Sequence, residues 1–162
     1  MQTADALPKT AEMKDRKTTL STLWTFAMFN YIYADVLTLT DVLGDPDVTK
    51  KLGTGYVGGV HVTQGSLLAA AVLMETAIAM VLLSRILNYR ANRWSNIIVA
   101  VVHTAAVLFS LFVGGIPSRI TYYTFFAAVE IICTLFIVWY AWTWPNLEHE
   151  ATSLHSRATG QP

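Results

Sequence analysis

Four windows of 21 residues, Leu20–Thr40, Gln64–Ser84, Trp94–Gly114 and Thr121–Ala141, hold only three charged side chains: Asp35, Glu75 and Glu130. The other 78 of the 162 residues hold the remaining nineteen charges. A helix rises about 1.5 Å per residue and the hydrocarbon of a bilayer is about 30 Å thick, so each window is long enough to cross it. The pattern predicts an all-α, polytopic membrane protein: a four-helix antiparallel transmembrane bundle. Residues 1–19 read as a polar cytoplasmic leader, 20–144 as the four-span transmembrane domain and 145–162 as a disordered cytoplasmic tail. Charged residues make up 14% of the chain, against about 25% in a soluble domain. That leaves too little polar surface for a water-soluble enzyme.

Other classes drop out on residue types. Net charge is zero and the basic residues sit beside the spans, so nucleic acid is not an expected partner. Cys133 is the single cysteine, which excludes an internal disulfide, a CxxC pair and a cysteine metal cluster. Two glutamates and a histidine are able to bind a divalent ion, but no HExxH or paired-His spacing exists, and neither metal nor cofactor is expected. Gly53-Thr54-Gly55-Tyr56-Val57-Gly58 fits GxGxxG. It follows no strand and opens no βαβ unit, so it is not a dinucleotide fingerprint. The first apolar window exceeds a signal-peptide core and reads as an uncleaved span.

The connectors give the orientation. Lys9, Lys14, Arg16 and Lys17 precede the first window, Arg85, Arg90 and Arg93 join the second to the third, and Arg157 lies in the tail. These eight face Lys50, Lys51 and Arg119 on the other side. Cytoplasmic loops carry the excess of Lys and Arg, so the expected location is the cell inner (plasma) membrane with both termini cytoplasmic. Trp24, Trp94, Trp139, Trp142 and Trp144 fall near the cytoplasmic ends and read as an interfacial belt. In the first connector, Asp45-Pro46-Asp47 reads as a helix start, with Asp as cap and Pro at the first position. Gly53 reads as the stop, giving a short helix over Pro46 to Leu52. A tight link carries Pro117.

The chemistry rests on the polar residues inside the windows. Glu75, His103, Glu130 and Asn30 all fall near mid-window. An ionised side chain at the centre of a span costs about 2.5–3.5 kcal/mol on insertion scales, so the acids must be protonated, paired or facing a wet cavity. Helical spacing places Gln64, Leu68, Ala71, Glu75 and Ala79 on one stripe, and Asn92, Asn96, Val99, His103, Ala106 and Ser110 on another. Tyr123, Ala127, Glu130 and Thr134 form a third, and Ala27, Asn30, Ala34 and Thr38 a fourth. Small residues allow close helix approach and polar ones bond across the gap, so all four stripes are expected to point inward. Asp35 shares a stripe with Trp24, Met28 and Tyr31, off that face. It reads either as a carboxylate bonded by the first connector or as the way into a central site.

The strings Met28-Phe29-Asn30-Tyr31-Ile32-Tyr33-Ala34-Asp35-Val36, Val62-Thr63-Gln64-Gly65 and Asn88-Tyr89-Arg90-Ala91-Asn92-Arg93-Trp94 resemble an uncharacterised family of small bacterial four-span inner-membrane proteins. The resemblance covers about Leu20 to Trp144. It implies a four-helix membrane protein and supplies no activity. In size and topology the chain also resembles, as an architectural analogy, the DoxX-like membrane proteins.

The expected function is that of a small transport or ligand-binding protein with a proton-titrating polar centre. Glu75 and Glu130 would carry a proton or cation, and His103 would relay it. Gln64, Asn30 and Asn96 would orient them, and Asp35 would complete the set. The expected partners are the lipid bilayer, a small-molecule or cation ligand and, because four spans make a thin bundle, a second copy in a homodimer. The rival is a structural or accessory subunit whose polar centre only fixes helix packing. A lipid- or quinone-modifying enzyme with His103 as base is a third, less favoured reading.

Overall fold

The computed structural model describes residues 6–57, 60–113 and 121–145. Arg119, the link with Pro117 and most of the tail lie outside the described residues. Among the described residues the regular structure is helical but for two paired strands of two residues each. In order it forms α1 (Ala6–Gly44), α2 (Pro46–Leu52), β1 (Tyr56–Val57), β2 (Val60–His61), α3 (Gln64–Ile86), α4 (Tyr89–Val113) and α5 (Tyr122–Trp142).

Local chemistry sets these boundaries. Asp45 caps α2, its Oδ1 accepting from the Asp47 amide at 2.8 Å, with Pro46 at the first helical position. Helix α2 ends at Leu52, directly before Gly53, as expected, and the left-handed turn follows two residues on at Gly55, φ 79°. It leads into the antiparallel β1–β2 pair, in which Tyr56 lies opposite His61. Thr63 starts α3 with a capping box: its hydroxyl accepts from the Ser66 amide and the Ser66 hydroxyl accepts from the Thr63 amide. Asn88 Oδ1 accepts from the Ala91 amide at 3.0 Å and starts α4, leaving only Leu87 and Asn88 between α3 and α4. Thr121 caps α5.

Helix α1 carries 39 residues, about 58 Å of helix. It runs unbroken through position 19, so the leader and the first apolar window form one element. Arg16 donates to the Tyr140 carbonyl at 3.4 Å and stacks over the Tyr140 ring, and Lys17 donates to the Leu87 carbonyl. At the opposite end the Tyr122 hydroxyl donates to Asp41. Helix α1 packs on α3 and α5, and α4 packs on α5 and α3. We call the end with Arg16, Lys17 and Trp144 the leader end, and the end with Asp41 and Thr121 the connector end.

The interior mixes small and polar side chains with a few large ones, Leu20, Trp24, Met80 and Ile137. Ala27, Ala34, Ala77, Ala100, Ala127 and Ala141 are buried, with Ser21, Ser84, Asn92, Asn96, His103, Glu130 and Thr134. The outside is apolar: Leu68 is 65% exposed and Phe112 78%. A water-soluble bundle has the opposite arrangement. Lipid removes the penalty on an apolar exterior and leaves packing of small residues and interhelical hydrogen bonds to hold helices together. Among the described residues three helices are long and apolar enough to cross a membrane: Gln64–Ile86, Tyr89–Phe112 and Tyr122–Trp142. Helix α1 is more polar, since its middle carries Ser21, Thr22, Thr25, Asn30, Asp35 and Thr38.

Two of the tryptophans expected in an interfacial belt lie elsewhere. Trp24 and Trp144 are buried in the bundle, whereas Trp94, Trp139 and Trp142 are exposed. Trp24 is drawn inward because its indole N–H finds an acceptor there, Asn96 Oδ1 at 2.7 Å.

Candidate functional site

The polar interior has two parts. In the leader half the polar side chains between the helices bond to one another, while Arg93 Nε at the rim is buried without a hydrogen-bond partner. Asn96 accepts from Trp24 and from the Ser84 hydroxyl, the latter at 3.2 Å, and its amide donates to Asn92 Oδ1 at 2.6 Å. Asn92 in turn donates to the Ser84 carbonyl at 2.6 Å. Ser21 donates to the Val81 carbonyl at 2.8 Å and accepts from Arg85 Nε at 3.0 Å. This network ties α1, α3 and α4 together. Buried polar groups paired in this way specify a helix register, whereas unpaired ones would be costly.

His103 sits at the boundary of the two halves and is 1% exposed. Its Nε2 lies 3.1 Å from Thr76 Oγ1 and its Nδ1 3.2 Å from the Tyr31 hydroxyl. Thr76 already spends its hydroxyl proton on the Leu73 carbonyl at 2.6 Å. Thr76 Oγ1 must therefore accept from an Nε2–H. In a neutral ring Nδ1 is then the acceptor and Tyr31 donates to it. The indole of Trp24 packs edge-on against the ring, centroids 5.7 Å apart. Both ring nitrogens are thus committed, and the tautomer follows from the hydrogen bonds.

Above His103, toward the connector end, the helices form a half-open cavity of about 260 Å³. Tyr31, Ala34 and Asp35 of α1 line it, with Ala70, Leu73 and Met74 of α3. Helix α4 adds His103, Ala106, Val107 and Ser110, and α5 adds Tyr123, Phe126, Ala127 and Glu130. Alanines on all four helices leave the space open. Glu130 is 6% exposed, and no hydrogen bond to its carboxyl occurs among the described residues. Asp35 lies close enough to interact with it electrostatically. Among the described residues no lysine or arginine lines the cavity. A buried carboxylate without a hydrogen bond or counter-charge is strongly disfavoured, so Glu130 needs a proton or a cation.

The expected site residues divide accordingly. Glu130, His103 and Asp35 share the cavity. Asn96 belongs to the packing network one level below. Glu75 does not meet His103 and Glu130. It is exposed on the outer face of α3, whose inner face carries Ala77, Met80 and Ser84. Gln64 is exposed in the first turn of the same helix. Asn30 stays out of the cavity as well, its amide donating to the Phe26 carbonyl of its own helix at 2.9 Å. On α1 the inward stripe is Leu20, Trp24, Ala27, Tyr31 and Ala34, which turns Asp35 toward the cavity rather than away from it. Tyr31, Thr76, Ser110 and Tyr123 were missed as site residues. The signal for Tyr31 was present: it lies four residues from both Ala27 and Asp35 and three from Ala34.

No group of three His, Cys, Asp or Glu side chains among the described residues is placed to hold a metal ion. The arrangement can exchange a proton or hold a positive charge at Glu130. Cys133 directs its thiol at the Leu23 carbonyl, 3.6 Å away.

Fold and interior together define a helical membrane protein with an acid-lined internal cavity. The sequence pattern of a family of unknown function, DUF6326, matches residues 9–151, and the chain belongs to that family. No curated protein and no solved structure matches it.

Proposed function

We propose that the protein is a small integral membrane protein of four spans that binds or transports a small ligand or proton through the cavity at Glu130. The observation that carries this reading is a glutamate, 6% exposed as a residue, whose carboxyl has no hydrogen bond among the described residues and which lines a cavity it shares with a second acid. A helix-packing role does not need such a group. Packing is provided by the saturated network around Asn96, whose average bond in a membrane is worth about 0.6 kcal/mol. Intramembrane acids that face a cavity mark ion paths, substrate paths or proton relays.

Helix α1 serves as the fourth span. Its Thr22, Thr25, Thr38 and Thr40 hydroxyls donate to carbonyls one turn back in the same helix, which makes them tolerable in hydrocarbon. Its contacts at both ends of the bundle give it the same reach as its neighbours. Lys14, Arg16, Lys17, Arg85, Arg90 and Arg93 gather at the leader end, which supports a cytoplasmic placement of that end in an inner membrane. The exposed Glu75 supports pairing with a second copy.

The test is flux into proteoliposomes, read with a pH-sensitive dye under an imposed gradient, for the natural protein and Glu130→Gln. Flux above that of empty vesicles, lost in the variant, supports the reading. Flux and ligand-induced thermal shifts both absent from the natural protein would replace it with the accessory-subunit reading.

A further inference from the structure

The cavity's chemistry narrows what it can hold. Glu130 and Asp35 supply negative charge, no lysine or arginine among the described residues lines the walls, and the His103 nitrogens are already bonded to Tyr31 and Thr76. The histidine is therefore not the counter-ion of Glu130. Tyr31, Tyr123 and Phe126 supply aromatic surface, and Ala70, Ala106 and Ala127 supply room. A carboxylate with aromatic rings around an otherwise apolar space is the combination that favours an ammonium group carrying a small apolar body. At about 260 Å³ the space lies below the roughly 300–1,000 Å³ of drug-sized ligand sites.

We propose that the cavity binds a small organic cation, a protonated or quaternary amine, with its positive charge at Glu130 and its apolar substituents against Tyr31, Tyr123 and Phe126. This rests on the reading of the cavity as a ligand site and adds the ligand's class. Binding exchanges one positive charge for another. The Glu130 carboxyl proton passes to bulk buffer and the ammonium takes its place, so the buried carboxylate is never left unbalanced. The titratable groups facing Glu130 are Tyr31 and Asp35 of α1, His103 of α4, and Tyr123 and Cys133 of α5. Helix α3 contributes none to the cavity wall, its share being Ala70, Leu73 and Met74. Proton and cation compete for one carboxyl, so affinity rises with pH, with release of about one proton per ligand. Asp35, exposed and nearer the connector end, adds to the field that draws the cation in.

Three probes of nearly equal shape separate charge from size: tetramethylammonium (positive), tert-butanol (neutral) and pivalate (negative). Calorimetric titration of the detergent-purified full chain should show tetramethylammonium binding at least about tenfold tighter than either of the others. Glu130→Gln should weaken it by about tenfold or more, and Asp35→Asn by a smaller factor. Size-exclusion chromatography shows that Glu130→Gln remains folded; if it does not, Asp35→Asn and the loss of affinity on acidification of the natural protein carry the test. Equal or tighter binding of tert-butanol or pivalate overturns the cation class. If that binding is abolished by filling the cavity with Ala106→Leu, the ligand-site reading survives. Binding of none of the three overturns the proposal and takes the ligand-site reading with it. Undiminished tetramethylammonium binding in Glu130→Gln overturns the assignment to this carboxyl.

Discussion

At the scale of single residues, Glu130 and Asn96 illustrate two opposite uses of a buried polar side chain. The Glu130 carboxyl lacks a hydrogen bond among the described residues and borders open space. Glu130→Gln keeps its shape and removes the need to balance a charge, so it should leave the melting temperature unchanged or raise it while abolishing proton- or cation-dependent behaviour. Glu130→Ala should lower the melting temperature through lost packing. Asn96 stands at the centre of a closed set of bonds to Trp24, Ser84 and Asn92. Asn96→Ala strands the Trp24 indole N–H and should cost about 1–3 kcal/mol, read by thermal unfolding, with a shift in tryptophan emission as Trp24 loses its acceptor. The same pair shows what a sequence can disclose. That Glu130 and Asn96 are polar residues in apolar windows is plain from the letters. That one is saturated and the other is not depends on Trp24 and Ser84 approaching from α1 and α3, and no local pattern encodes that meeting.

At the scale of elements, most helix starts were legible, and the inward faces were legible on α4 and α5 but not on α3. The Asp45-Pro46 start of α2 is local chemistry, and so are the Thr63 and Thr121 caps seen in the structure. Thr63→Ala removes an acceptor for the Ser66 amide and should destabilise by about 1 kcal/mol, measurable as a lower melting temperature. Faces are harder because in lipid both sides of a helix are apolar, and the few polar residues then carry the whole assignment. Placing Glu75 inward made Gln64, Leu68, Ala71 and Ala79 the inner stripe of α3, when Ala77, Met80 and Ser84 pack inside. Asn30 misled for another reason: its amide is satisfied within α1 by the Phe26 carbonyl, so it exerts no pull toward a neighbour. The polar leader showed a composition break where the structure has none. Arg16 and Lys17 hold carbonyls of α5 and of the α3–α4 turn, so a double Arg16→Ala, Lys17→Ala variant should melt lower. Removal of residues 1–5 should leave the melting temperature unchanged if the anchoring begins at Arg16.

At the scale of the whole molecule, the outward Glu75 is the feature a lone bundle accommodates worst. It lies eleven residues from each end of α3 (Gln64–Ile86) and is exposed, with Leu68, Val72, Ile78 and Leu82 exposed around it. A charged acid at that depth facing lipid costs about 2.5–3.5 kcal/mol on insertion scales. Ala71 and Ala79 lie one turn to either side on the same face, so a second helix is able to approach closely there. A two-fold axis beside α3 brings Glu75 of each copy to the other, and a carboxylic acid is its own complement, each group both donating and accepting. The proposed pairing therefore makes a prediction with two arms. Cysteine placed at Ala71 in a Cys133→Ser background should crosslink between copies in native membranes under mild oxidation, whereas cysteine at Ala100, buried inside the bundle, should not. Glu75→Leu should shift the equilibrium toward monomer in detergent, because the substitution removes the groups that meet at the axis while making the same face cheaper to expose to lipid. Undiminished dimer in Glu75→Leu, or crosslinking from Ala100 and not from Ala71, would place the seam on another face and leave Glu75 to be explained by a partner of a different kind.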